Sequence, residues 1–344
     1  MKKLVKQVVG IDVSQKELVV KLGTMYDDLS QQLYPGKTFS NTEKGYVSLL
    51  NWVEKHADKQ VPVRFVMEAT GVYHESLAYY LDEQTLEVSI VLPNKISNFA
   101  RTLDTKTVTD KTASEAIALF GLSRLLDTWK RPTGVYREIR HLTRERNQLI
   151  DERTALKNQL HAEKAQAEPC KGSIGRITKR ISLIDKQEKE IKAELSSLIK
   201  NDEQAKTLVP LLCTLPGVAM VTACSVLAET NGFDLIRNKR QITSYAGLDI
   251  KEKQSGTSIN GKPRISKKGN KYLRRSMHMA ALTALRTDER FKSFFIRLIS
   301  RHGIKMKAVV AIQRKLLELM YTLYKTNQPY DKDYLNHENK TQMK

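Results

Sequence analysis

Hydrophobic and polar positions divide the chain into three regimes. Up to about residue 130, short apolar runs alternate with amphipathic stretches. Gln7-Val8-Val9-Gly10-Ile11-Asp12-Val13 is an apolar strand, and Glu17-Leu18-Val19-Val20-Lys21-Leu22 reads as its antiparallel partner. Val47, Leu50 and Val53 give helical spacing between Thr42 and Lys55. Val63-Arg64-Phe65-Val66-Met67 is a further strand that ends on Glu68-Ala69-Thr70-Gly71. A helix through Leu77 and Leu81, the strand Val88-Ser89-Ile90-Val91-Leu92 stopped by Pro93, and a helix from about Asp110 to Leu126 complete the block. A strand pair followed by βα alternation predicts an α/β domain with a mixed sheet over 1–130.

Residues 131–204 carry no strand signal. Apolar residues fall at Ile177, Ile181, Ile184, Ile191, Leu195 and Leu198 in heptad steps, with Glu188 off the pattern, and Leu142, Leu149 and Leu156 stand seven apart upstream. Pro169-Cys170-Lys171-Gly172 breaks the helix between them. The pattern predicts a coiled-coil helical hairpin, and a plain helical linker stands beside it as a reading. From 205 to 328 the chain is mainly α-helical, with one long basic loop that contains glycine. The polar residues 329–344 read as a disordered tail.

Composition adds charge to this outline. In 344 residues, 58 Lys+Arg face 38 Asp+Glu, a formal net charge of +20, which is an electrostatic footprint for a polyanion. A merely soluble basic protein shares that composition. No apolar run approaches the ~20 residues of a bilayer span, and the start lacks a signal-peptide core, so a cytoplasmic protein with no membrane partner is expected. The three cysteines show no CxxC pairing, which disfavours structural zinc and a disulfide framework.

Candidate chemistry sits at the ends of the predicted elements. Asp12 closes one strand, Glu68 a second, and Asp110 opens a helix. Carboxylates that converge in this way offer the oxygen ligands that suit Mg²⁺. Two such ions would stabilise the attacking and leaving oxygens of phosphate displacement. A sugar-kinase or Hsp70-type ATPase begins with a similar strand and Asp, but it also needs a glycine-rich phosphate loop, and none is convincing here.

Downstream, Leu215-Pro216-Gly217-Val218 reads as a helix-hairpin-helix turn, where Gly217 would let backbone N–H groups approach a phosphate. An ordinary helix–helix turn is the competing reading. The stretch from Gln254 to Asn270 is rich in hydroxyls. Its cations Lys262, Arg264, Lys267 and Lys268, with Lys271, Arg274 and Arg275 after it, form a candidate phosphate-binding set.

These motifs carry a resemblance. Gly10-Ile11-Asp12-Val13-Ser14, Met67-Glu68-Ala69-Thr70-Gly71, and Thr109-Asp110-Lys111 with Ile117-Ala118 resemble the amino-terminal motifs of the insertion-sequence transposase family numbered one-ten, relatives of the Piv DNA invertase. Leu215-Pro216-Gly217-Val218, Tyr245-Ala246-Gly247-Leu248, Gln254-Ser255-Gly256 and Ile265-Ser266-Lys267-Lys268-Gly269-Asn270 with Leu273-Arg274-Arg275 are similar to its carboxy-terminal domain. The resemblance implies a RuvC-like, RNase H type domain with a four-carboxylate site that binds metal through Asp12, Glu68 and Asp110. It also implies a serine nucleophile, Ser255 with Ser258 as runner-up, that forms a phosphoserine link to DNA. The family works as a tetramer built from dimers, with a structured bridge RNA selecting donor and target DNA. Function on the nucleoid of a bacterium follows. The fourth acid should fall three residues after Asp110, where this chain has Ala113. Ser114 would share Asp110's helix face as a weaker substitute, with Glu115 about 140° away. Two alternatives remain: a Holliday-junction nuclease that uses water, and a catalytically impaired nucleic-acid-binding relative.

Overall fold

The computed structural model describes residues 2–69, 71–103, 107, 109–255 and 259–331. Two compact units divide the chain, Met1–Arg131 and Pro132–Lys344. The tail beyond Asp331 lies outside the described residues.

The first unit contains β1 (Leu4–Val13), β2 (Glu17–Tyr26), β3 (Gln31–Leu33), β4 (Lys37–Ser40), α1 (Glu43–His56), β5 (Val63–Glu68), α2 (Glu75–Glu83), β6 (Glu87–Val91), α3 (Pro93–Ala100) and α4 (Asp110–Ser123). The sheet runs β3-β2-β1-β5-β6, with β4 also on β2. β1 pairs antiparallel with β2 and parallel with β5, which pairs parallel with β6. This mixed order bears out the mixed α/β sheet read from the apolar pattern and the RNase H type arrangement that the family resemblance implies; the short β3 and β4 were not signalled by that pattern.

Strand alternation separates two cores. Val9, Ile11, Phe65 and Met67 turn to one face with Tyr46, Leu49 and Leu77 of α1 and α2. Val8 and Val66 turn to the other with Ile96 of α3 and Ile117 and Phe120 of α4. On α1 the buried stripe is Tyr46, Leu49 and Val53, while Val47 is exposed. Of the positions read from spacing, Val53 is buried and Leu50 half-buried against the same core, while Val47 yields its place to Tyr46.

The second unit begins with a helical hairpin. α5 (Gly134–Lys164) and α6 (Lys171–Asn201) are each 31 residues long, about 46 Å at 1.5 Å per residue. Leu142, Leu149 and Leu156 meet Ile177, Ile184, Ile191 and Leu195 along the seam. Glu188, off the apolar pattern, lies buried on the same seam. It accepts from Arg146 at 2.8 Å and Arg153 at 2.6 Å, and Lys192 pairs with it at 2.9 Å. Those cations hold its carboxyl down at about 2 against the burial that would raise it. An ionic knot of this kind fixes register along a seam that leucines alone leave free to slide.

The helical remainder comprises α7 (Glu203–Cys213), α8 (Met220–Thr230), α9 (Lys239–Tyr245), the hairpin β7 (Ile250–Ser255) and β8 (Ile259–Ile265), α10 (Lys271–Thr287), α11 (Glu289–His302) and α12 (Lys305–Thr326). It shares one apolar core with the helical hairpin, so the regions 131–204 and 205–328 form a single unit. Among the described residues no helix is long and apolar enough to cross a membrane.

Candidate active site: an acid cluster and a basic hairpin

In the first unit, glycines place the acids. A Cβ on Gly10 would fall 2.5 Å from the Ser114 carbonyl oxygen and closer still to the Ala118 nitrogen. A Cβ on Gly121 would press on Val8, and stand 3.0 Å from Val66. α4 therefore lies directly on the backbone of β1, and only glycine allows that approach. One turn before Ser114, Asp110 comes to the end of the sheet where β1 delivers Asp12 and β5 delivers Glu68. A reciprocal cap fixes this first turn: the Thr109 N–H donates to Thr112 Oγ1 at 2.8 Å, and Thr109 Oγ1 accepts from the Thr112 N–H at 3.3 Å.

Asp12 senses the other two carboxylates. Burial raises the Asp12 carboxyl to about 6, the charges of Asp110 and then Glu68 push in the same direction, and the Val13 N–H partly opposes them. Among the described residues no group of three or more His, Cys, Asp or Glu side chains is placed to hold a metal ion as it stands.

The fourth position follows the helix register. Ala113 lines a cleft together with Glu68, so it faces the side where a carboxylate would join the others. Ser114 does not substitute: it is buried, and its hydroxyl donates to the Lys111 carbonyl at 2.9 Å. Glu115 turns away to Lys21 at 3.5 Å. Asp104, the acid read in the loop before α4, lies outside the described residues. Beside Glu68, the β5–α2 loop leaves Val72 67% and Tyr73 43% exposed, an apolar rim that the sequence reading missed.

In the second unit, the basic loop is a β-hairpin. The mostly polar and charged sequences Lys251-to-Ser255 and Asn260-to-Arg264 hid its strands, because they lack the apolar period that marks a buried face. Ser255 ends β7 and pairs with Ile259; the side chains of Ser255 and Lys262, and the whole of Ser258, lie outside what the structure describes. The hairpin's base is closed by Ser266, whose hydroxyl donates to Asp249 at 2.6 Å and whose N–H donates to the Asp249 carbonyl at 2.8 Å.

Two sequence motifs interlock behind that base. A Cβ on Gly269 would fall 2.5 Å from the Tyr245 oxygen, and one on Gly247 3.0 Å from the Gly269 nitrogen. The Tyr245-to-Leu248 turn and the Ser266-to-Asn270 turn thus pack backbone on backbone. The Lys267 N–H donates to the Gly247 carbonyl at 3.1 Å and the Asn270 N–H to the Tyr245 carbonyl at 2.8 Å. Beneath them Glu229 is buried on α8. It accepts from Arg144 at 2.7 and 2.8 Å and from Asn270 Nδ2 at 2.6 Å. A lone acid, Glu229, directly after the mainly apolar run Val221-to-Ala228 was the available signal, and the sequence reading missed it.

This arrangement reassigns part of the proposed phosphate set. Arg274 donates to the Ala246 carbonyl at 2.8 Å and the Gly269 carbonyl at 3.0 Å. Arg275 makes a bidentate pair with Asp151 of α5, both bonds at 2.6 Å. Both arginines clamp the fold instead of facing solvent alone. Gly217 has φ +81°, and a Cβ there would fall 2.6 Å from the Ala284 nitrogen of α10, so packing accounts for the glycine. Arg264, Lys267, Lys268 and Lys271 are exposed.

Comparison with known sequences supplies the family. A family profile described as "Transposase", for DEDD-type IS110 enzymes, matches residues 9–163, and the "Transposase IS116/IS110/IS902 family" profile matches residues 209–295. The chain belongs to the IS110 transposase family. The two IS110 profiles cover the acid cluster and the interlocked turns in turn. Similar to this IS110 member is the pilin gene-inverting protein of Moraxella lacunata, 26% identical over 95% of this chain and 98% of the relative. The transposase for insertion sequence element IS1111A of Coxiella burnetii is 30% identical over 40% of this chain and 37% of its own. Among solved structures, Thermus thermophilus RuvC is similar at TM-score 0.28 and 12% identity, over 36% of this chain and 99% of that one.

Proposed function

We propose that this IS110 member cuts and rejoins DNA through two kinds of group: the acids Asp12, Glu68 and Asp110 of the first unit and the Ser255 hydroxyl of the second. The observation that carries the reading is the convergence of three elements: paired β1 and β5 end on Asp12 and Glu68, and α4, seated on β1 at Gly10, begins with Asp110, so that both charges bear on Asp12. Oxygen donors that repel one another fit a hard divalent cation, which relieves the repulsion that the metal-free cluster bears. Mg²⁺, when bound, supplies charge neutralisation at the scissile phosphate.

In this reading Ser255 Oγ forms a bond to phosphorus as a deoxyribose oxygen leaves. The serine gives up its proton and the leaving oxygen gains one, so the step balances and its reverse rejoins the strand. Arg264, Lys267, Lys268 and Lys271 hold the phosphate backbone, and Asp249 with Ser266 keeps the hairpin that carries Ser255 in register. A structured bridge RNA as guide, assembly of dimers into a tetramer, and work on the bacterial nucleoid belong to the same reading. They rest on the family resemblance, and the +20 charge suits RNA as well as DNA.

The test is divalent-dependent strand exchange on the element's own DNA ends, with and without its adjoining RNA. Asp12→Asn should abolish it, and nuclease-treated protein should be inactive until RNA is restored. Ala113 supports a second reading, a relative with an impaired metal site. Ala113→Asp should then lower the Mg²⁺ needed for half-maximal activity, or create activity where there was none.

A further inference from the structure

Next to the acid cluster, α3 and the first turns of α4 enclose a cleft of about 500 Å³, within the range of small-ligand sites. Glu68 and Ala113 stand on its wall, with Asn94, Ser97 and Arg101 of α3 and its C-cap. Its floor includes Ile96, which is buried. Asn94, Ser97 and Arg101 are exposed, and among the described residues no internal hydrogen bond or ion pair claims their side chains.

These groups have distinct chemistry. An apolar floor accepts the face of a planar base. An amide and a hydroxyl offer both donors and acceptors to a base edge. A guanidinium suits a phosphate, which it can bind through two parallel N–H groups. Resting on the proposed DNA-cutting role, we propose that this cleft is a nucleotide subsite for the strand being cut. In it Asn94 and Ser97 read the base beside the scissile phosphate and Arg101 holds the next phosphate along the strand. The cleft is then a determinant of sequence preference at one position, built by the protein and separate from any pairing with RNA.

The probe is a set of deoxynucleoside 3′,5′-bisphosphates carrying each of the four bases, titrated calorimetrically into the full chain with Ca²⁺. Arg101→Ala should weaken all four by about 10-fold, the size of one charge-assisted hydrogen bond, and Arg101→Lys should recover part of that loss. Asn94→Ala should compress the spread of affinities among the four bases while leaving the weakest binder unchanged. No binding of any probe by the wild type, or Arg101→Ala and Asn94→Ala titrations that overlay the wild type, would overturn the subsite. The parent reading is judged separately by Asp110→Asn in Mg²⁺-dependent DNA cutting. An inactive Asp110→Asn with overlaid titrations removes only the subsite, and a fully active Asp110→Asn removes the reading beneath it.

Discussion

Replacing Glu229 with alanine tests the interlocked turns behind the β7–β8 hairpin. Its side chain is 2% exposed and pairs with Arg144, which is 39% exposed, while Asn270 donates to it at 2.6 Å. Asn270 also caps α10 by accepting from the Tyr272 and Leu273 N–H groups, so the carboxylate orients the residue that starts this helix. Breaking a buried ion pair by removing one partner costs about 3–5 kcal/mol. Water can reach the half-exposed Arg144, which argues for the lower end, ~3 kcal/mol. For a unit of roughly 200 residues each kcal/mol moves the midpoint by about 2–4 °C, so the second unit should melt ~6–12 °C lower. Glu229→Gln keeps an acceptor for Asn270 and should lose about half as much. The double variant Glu229→Leu with Arg144→Met, which removes both charges, should be more stable than Glu229→Ala alone. Calorimetry of the full chain, with urea melts as a check, reads all three. A Glu229→Ala midpoint within ~2 °C of wild type would refute the reasoning.

Three further perturbations address the rest of the molecule. The Asp12 carboxyl stands at about 6 in the fold against ~3.9 unfolded, so its contribution to metal-free stability is fully present below pH ~3.9 and is lost as pH rises through about 6. After discounting for partial exposure this amounts to ~1 kcal/mol; Asp110→Asn should recover part of it at pH 7.5 but none at pH 3.5, as read by urea melts with chelator. Gly10→Ala must push α4 off β1 and should cost ~1–3 kcal/mol together with metal-dependent activity; an unchanged melt would count against the close approach. Charge reversal at Lys267 and Lys268 should flatten the salt dependence of DNA binding by about 0.9 per lost phosphate contact, whereas Arg274→Glu should chiefly lower the melting temperature. Salt slopes that move equally in the two cases would contradict the division between exposed and clamped cations.

Much of the first unit was legible because its strands are buried on both faces. Val8-Val9 and Phe65-Val66-Met67 need no partner to declare themselves. The acids at their ends could be named for the same reason, since Asp12 and Glu68 terminate apolar runs. Local pattern could not say which glycines serve packing. Gly217 and Gly269 look like phosphate-binding glycines until the helix or turn against them is known. The same holds for Arg274 and Arg275, whose partners Ala246 and Asp151 are 28 and 124 residues distant. The β7–β8 hairpin was missed because neither of its faces carries an apolar stripe. Glu188 broke the heptad on paper and completes it in space, since Arg146 and Arg153 reach it from the other helix.

The measurement that tests the account most directly is the chemical identity of the cut end. After reaction in Mg²⁺ the protein is denatured, digested with trypsin, and the peptide Gln254–Arg264 is sequenced by mass spectrometry with its attached nucleotide. The account predicts a nucleotide phosphodiester on Ser255, retained in Ser258→Ala and absent in Ser255→Ala, in Asp110→Asn, and with chelator. Cut DNA with no nucleotide on this peptide, or an adduct that persists when Ser255 is alanine, would contradict it.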